Sequence, residues 1–369
     1  MPRIGFAVFA VFLAQPAFAC SIPVFRYALE QWPPSHYALV VYHNGPINKE
    51  ERAAVQKISD AARRANVRVT TIDLKGDVDP EQKAVWDREG KDAKTPRVLL
   101  RYPESGPEIP SLLSCPLVVE PIVALLDSPA RRAIFDRLTL GNAAAIVLLL
   151  CGDQKADDAA RAMLGRELPA IARGMDLPPR TPDGPQVQSE LPLRVAFPVV
   201  EVARDSKEDL LVRLLVKSED GLDRVRGPIV FPVFGRGRAL CSLHGRDLEK
   251  PDELRRSLEY LCRACSCQVK ELNPGVDLLM TGNWERIFDA EKGPPPQVVA
   301  ETRGSASVGP GVSELRSRPP DGYSPVETLG DSETSTRRPW VRYGVIATAV
   351  TIIGYCIIRG RRSNPPERH

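Results

Sequence analysis

The sequence predicts an α/β protein made of two βαβαββα units in tandem, followed by a disordered linker and one transmembrane helix. Three observations predict it. Short β-rich runs alternate with helix-period stretches from Tyr37 to Cys262. The same order of elements occurs twice, with a break near Gly141. Two apolar segments near the chain ends carry the flanks of membrane-directed signals. Alternating strands and helices, with a terminal hairpin and a closing helix, imply a mixed sheet covered by helices.

In the first unit, Tyr37 to Tyr42 is a β-rich run. A polar helix pattern follows from Asn48 to Ala65, where Asn48 and Glu51 have the spacing of a capping box. Val67 to Leu74 reads as the second strand and Pro80 to Arg88 as a short helix. Thr95-Pro96 opens a third strand, Arg97 to Tyr102. Gly106 turns the chain into a fourth around Ile109 to Leu113, and an apolar helix runs from Val118 to Leu126.

The second unit repeats this order. Ala145 to Leu150 is a strand and Lys155 to Ala172 a helix, with Asp157 and Asp158 in its first turn, where they favour the helix dipole. A Pro-rich loop, Leu177 to Pro192, leads to a strand over Leu193 to Val202 and a helix over Lys207 to Val216. Gly227-Pro228 opens the strand Ile229 to Phe234, which turns at Gly235 to Gly237 into Arg238 to Leu243. Pro251 to Cys262 is the last helix.

The chain ends set the topology. Arg3, the apolar run Ile4 to Leu13 and Ala17-Phe18-Ala19 form the parts of a secretory signal peptide over residues 1–19. Cleavage there leaves Cys20 first, a lipidation candidate, although Ala17 and Phe18 depart from the usual lipobox; an unmodified or disulfide-bonded Cys20 is the alternative. Residues 289–339 are rich in Pro, Gly, Ser, Thr and charge, without apolar periodicity, and read as a disordered linker. Val341 to Ile358 is apolar apart from Arg342 and is closed by Arg359, Arg361 and Arg362, with Trp340 and Tyr343 at its start. A transmembrane helix over 340–359 leaves a short cytoplasmic tail, 360–369. The units, 20–140 and 141–288, are then extracytoplasmic on a single-pass cell-membrane protein.

This element order resembles the thioredoxin fold, once in each unit. In that fold the third strand follows a cis-proline, so the resemblance implies cis bonds at Pro96 and Pro228. The family's Cys-x-x-Cys motif follows the first strand. Here those places hold His43-Asn44-Gly45-Pro46 and Cys151-Gly152-Asp153-Gln154. Dithiol exchange needs a low-pKa thiol and a second thiol to release the mixed disulfide, and neither place supplies both. Ordinary oxidoreductase chemistry is therefore not implied, and Cys151 reads as a small apolar residue at a strand end, with a monothiol nucleophile as the sharper alternative. The opening Cys20-Ser21-Ile22-Pro23-Val24-Phe25-Arg26-Tyr27-Ala28-Leu29-Glu30 with Trp32, the run Cys265-Ser266-Cys267-Gln268-Val269-Lys270 and Asn273-Pro274-Gly275 also resemble an uncharacterised group of exported, membrane-anchored bacterial proteins. That likeness implies export and a shared architecture without an activity.

The densest chemistry is Cys262-Arg263-Ala264-Cys265-Ser266-Cys267, with Cys241 and His244 upstream. Structural disulfides, a Cu or Zn site made by Cys262, Cys265 and Cys267 with Cys241 or His244 as the fourth ligand, and a thiol-redox role all stay open. Fifty basic and 47 acidic residues are interspersed, so no strong field points to nucleic acid. Four histidines leave little material for a hydrolytic triad. The expectation is a binding or assembly module without a cofactor and not an enzyme, tethered to the membrane by its C-terminal helix. Its expected partner is another extracytoplasmic or membrane protein. The alternative is a thiol-redox or copper/zinc-handling protein.

Overall fold

The computed structural model describes residues 21–179, 186–206, 208–265 and 269–288. It is a mixed α/β structure with two sheets. The first half contains α1 (Val24–Gln31), β1 (Tyr37–His43), α2 (Lys49–Ala62), β2 (Val67–Asp73), α3 (Pro80–Glu89), β3 (Arg97–Arg101), β4 (Leu113–Pro116), α4 (Val119–Leu126) and α5 (Pro129–Thr139). The second contains β5 (Ala145–Leu150), α6 (Gln154–Arg173), β6 (Val199–Ala203), α7 (Asp209–Val216), β7 (Ile229–Phe234), β8 (Arg238–Ala239), β9 (Leu243–His244), α8 (Arg246–Glu249), α9 (Pro251–Cys262) and β10 (Val276–Asp277).

The sheets run β2-β1-β3-β4 and β10-β8-β7-β5-β6, with β9 also on β7. In each, the first two strands are parallel (β1 with β2, β5 with β6) and the third runs antiparallel to the first. Side-chain caps explain the starts of α2, α3, α5 and α6. Asn48 accepts from the Glu51 N–H while the Glu51 carboxylate accepts from the Asn48 N–H, both at 2.8 Å, closing the expected capping box. Asp79 and Ser128 cap α3 and α5, each with proline at the first helical turn.

Several elements differ from the sequence reading. The strand expected at Ile109 to Leu113 lies at Leu113–Pro116, because Pro107 and Pro110 lack the N–H that a ladder needs and hold Ile109 in a turn. The strand expected from Leu193 begins only at Val199, after Pro192 and Pro198. The closing hairpin breaks into β8 and β9, since Ser242 turns aside to donate its N–H to Glu219 at 2.7 Å. The Thr95–Pro96 bond is cis, but Pro228 is corrected to trans among the described residues. X-Pro bonds stay trans unless their surroundings fix the other isomer, and here the Gly227 carbonyl is turned to accept from the Arg204 guanidinium at 2.7 Å. The segment expected to cross the membrane, the signal peptide, Cys20 and Cys267 lie outside the described residues; among those described, no helix is long and apolar enough to cross a membrane.

Packing crosses the midpoint of the chain in both directions. One face of β1 (Tyr37, Leu39, Val41) and one face of β5 (Ala145, Val147, Leu149) share a single apolar core with α5 between them. The N-terminal α1 leaves the first unit and lays Val24, Phe25 and Ala28 into the core under α6 and α9. It is tied there by Val24 N–H to Arg263 O at 3.0 Å and Cys265 N–H to Ile22 O at 2.9 Å. Arg26 and Glu30, both buried on α1, clamp the loop beyond 186: Arg26 donates to Ser189 Oγ at 2.8 Å, and Glu30 accepts from the Gln188 N–H at 2.8 Å.

The reciprocal strap is the C-terminal segment 276–288, whose Leu278, Leu279, Met280, Trp284 and Ile287 sit in the core shared with the first unit. Asn66 holds it on both sides: its N–H donates to Met280 O at 3.2 Å, and its side-chain Oδ1 accepts from the Met280 N–H at 2.7 Å. Buried Arg131 donates to the carbonyl of Leu279 at 3.2 Å and to that of Leu125 at 2.8 Å. The strap passes close over the β7–β8 turn, where Gly237 has φ +93° and a Cβ would meet Met280 Cγ at 2.3 Å.

Candidate functional site

The two places where a thioredoxin-like redox motif would stand are the carboxyl ends of β1 and β5. At the first, Gly45 turns the chain with φ +84° and donates its N–H to Asp73 Oδ1 at 2.8 Å. Asp73, at the end of β2, also accepts from the Lys75 N–H at 3.0 Å. The Lys75 and Gly45 backbone bonds hold its carboxyl below the usual range. His43 Nδ1 lies 2.7 Å from Gly45 O and 3.9 Å from Asp73 Oδ1. Tyr42 pairs with Arg97, so the ladder brings His43 beside Pro96. The turn carries no thiol. Its imidazole is fastened to local backbone.

At the second, Cys151 follows β5, and its own N–H and that of Gly152 both donate to Asp157, at 2.9 and 3.0 Å. Asp157 is buried and folds back from the first turn of α6, while Asp153 caps that helix through the Ala156 N–H at 3.0 Å. The Cys151 thiol is raised by burial first, then by Asp157 and Asp153 around it, against one lowering bond from the Asp153 backbone. A carboxylate thus occupies the backbone donors that would otherwise favour a thiolate. Asp157→Asn removes that charge, and the expected result is a severalfold faster alkylation of Cys151 by iodoacetamide near pH 8. An unchanged pH–rate profile would show that Asp157 does not set the thiol's state.

The cysteine cluster comes together only in part. Cys262, at the end of α9, and Cys265 are buried in the core beneath α1, and Cys241 packs at its margin with Sγ 3.5 Å from Ser257 Oγ. Cys241 and Cys262 are free thiols, which removes these two from the disulfide alternative left open for this segment. Burial pushes the Cys241 thiol up to about 11 and Cys262 to about 12; Cys115, on β4, rises to about 11 for the same reason. Among the described residues no group of three or more His, Cys, Asp and Glu side chains is arranged to hold a metal ion.

The sequence reading missed a second charged cluster. Ala28, Trp32, Pro34, Arg236, Arg238, Lys270 and Asp277 line a small cleft between α1 and the strap, with room for about one water molecule. Asp277, buried in β10, accepts from Arg238 at 2.9 Å, from Lys270 at 2.8 Å and from the Ser35 N–H at 2.8 Å. Its cations also bond backbone carbonyls of Pro274, Asn273 and Pro33, so the cluster is internally satisfied. The available signal was a lone carboxylate inside the apolar run Val276-Asp277-Leu278-Leu279-Met280.

No protein-family model matches this chain, and no curated protein is similar to it in sequence. What the molecule does has to be read from its own turns, thiols and edges.

Proposed function

We propose that this protein is a membrane-tethered, extracytoplasmic binding or assembly module built from two redox-inactive thioredoxin-like units. The observation that carries the reading is the pair of turns after β1 and β5. One has His43 to Pro46 with no thiol, and the other has Cys151 alone, with the Asp157 carboxylate on its backbone donors. The sheet orders, the cis bond at Pro96 and the parallel pairing of each unit's first two strands support the thioredoxin-like assignment. Export and the tether rest on the signal peptide and the apolar segment 340–359 of the sequence.

The competing reading, a thiol-redox or copper/zinc protein using Cys262, Cys265 and Cys267, draws less support. The Cys262 thiol is buried at the foot of α9 and pushed up to about 12, which leaves almost no thiolate at neutral pH. The deciding assay is disulfide reduction of insulin by the full chain in detergent, with dithiothreitol as electron donor. The expected rate equals that of dithiothreitol alone. Turnover above that background, lost in Cys262→Ser or Cys151→Ser, would overturn the module reading.

A further inference from the structure

We propose that the outer edge of β2 is a docking site for an extended, acidic segment of a partner protein, added to the first sheet as a fifth strand. This rests on the binding-module reading and names the surface it would use. Strand β2 ends its sheet, with β1 on one side and no described strand on the other. The two ends of the β1–β2 ladder fix which backbone groups face outward. Tyr37 donates to Asn66 O and Leu74 donates to His43 O, both at 2.8 Å, so the even-numbered residues of β2 bond to β1. Val67, Val69 and Thr71 therefore turn their N–H and C=O groups to the open side.

Exposed edges are normally blunted by shortness, proline, bulges or a covering element. The other terminal strands follow that rule. Strand β4 has four residues and ends in Pro116, and β10 has two. Strand β6 has five, with Glu201 held by Arg161 at 2.9 Å. By contrast β2 runs for seven residues, Val67–Asp73, without proline, and Arg68, Thr70 and Thr71 are exposed. Main-chain bonds to such an edge supply affinity, and alternate side chains supply selectivity.

Charge selects the occupant. Arg63, Arg64 and Arg68 are all exposed near the start of β2, and only Arg63 has an acidic partner among the described residues, Asp60 at 2.8 Å. The side chains of Val67 and Val69 lie on the other face, toward the core under α2. A strand with carboxylates on the Arg68 face and apolar residues on the Val69 face complements both, since opposite charges across a pair are favourable.

The test uses the full chain in detergent and a fluorescein-labelled octapeptide of alternating valine and glutamate, with a valine–lysine peptide as counterpart. The expected result is binding of the glutamate peptide at least tenfold tighter than the lysine peptide, with hydrogen-exchange protection at the Val67, Val69 and Thr71 amides. Val69→Pro removes an outward N–H and no bond to β1, so a Val69→Pro chain that keeps its native circular dichroism should bind at least tenfold more weakly. Arg68→Glu should reverse the preference between the peptides, and it decides the matter if Val69→Pro fails to fold. No binding, protection on another surface, or equal binding by a folded Val69→Pro chain would overturn the edge and leave the module reading standing. Disulfide exchange in the insulin assay would remove that reading instead. A dimer without peptide that Val69→Pro abolishes would assign the edge to a second copy and likewise overturn the acidic partner.

Discussion

Asp277→Asn is expected to destabilise the protein by about 3–5 kcal/mol, the usual cost of breaking a buried ion pair from one side. The side chains of Arg238 and Lys270 are only 11% and 12% exposed, and both point their charges at this carboxylate. Neutralising it leaves two cations without a counter-charge in a site with almost no solvent. Burial alone would raise the Asp277 carboxyl, but Arg238 and Lys270 together outweigh it and hold the group below its ordinary value. The sign for stability follows. A carboxyl lowered by folding contributes in full above the unfolded value of about 4, and the contribution disappears as pH falls through the lowered folded value. Urea denaturation at pH 7 and pH 3 should show a wide gap between native chain and variant at pH 7 and a narrower one at pH 3. A loss under 1 kcal/mol at pH 7 would refute the idea that this cluster secures the strap.

Dividing the chain at Gly141 should yield two fragments of which neither folds alone. The first loses Leu278, Leu279, Met280, Trp284 and Ile287, all buried against it. At about 1.5–3 kcal/mol per buried apolar side chain, that is roughly 7–15 kcal/mol, comparable with the whole stability of an ordinary domain. The second loses Ile22, Val24, Phe25, Ala28 and Trp32 from the core beneath α9. The intact chain should melt in one cooperative step, because the core between β1 and β5 belongs to both sheets. Circular dichroism and hydrogen exchange on the separated halves would check this, and a sharp independent transition in either half would contradict it.

The elements legible in the sequence were those with local signals. The apolar runs of β1, β5 and β7, the Asn48–Glu51 capping box and the proline that opens α9 all announce themselves within a few residues. Helix α1 does not, because it spans only eight residues and its partners lie at Arg263 and Cys265, far along the chain. Helix α5 starts directly after an apolar helix, which masks its start despite the cap and proline at Ser128-Pro129. At the candidate site, the missing dithiol was plain from the residues themselves. The role of Asp157 was not. Its place in the first turn suggested only a dipole contact, whereas the fold turns it back onto Cys151 and Gly152, and Asp158 alone faces outward to Arg161 at 2.7 Å.

The exchange of α1 and the strap between the two halves has a genetic corollary. Each half keeps part of its interior in the other half of the chain, α1 in the core under α6 and α9 and the strap in the core shared with the first unit. A truncation or gene fusion that separated the halves would leave each with an open core.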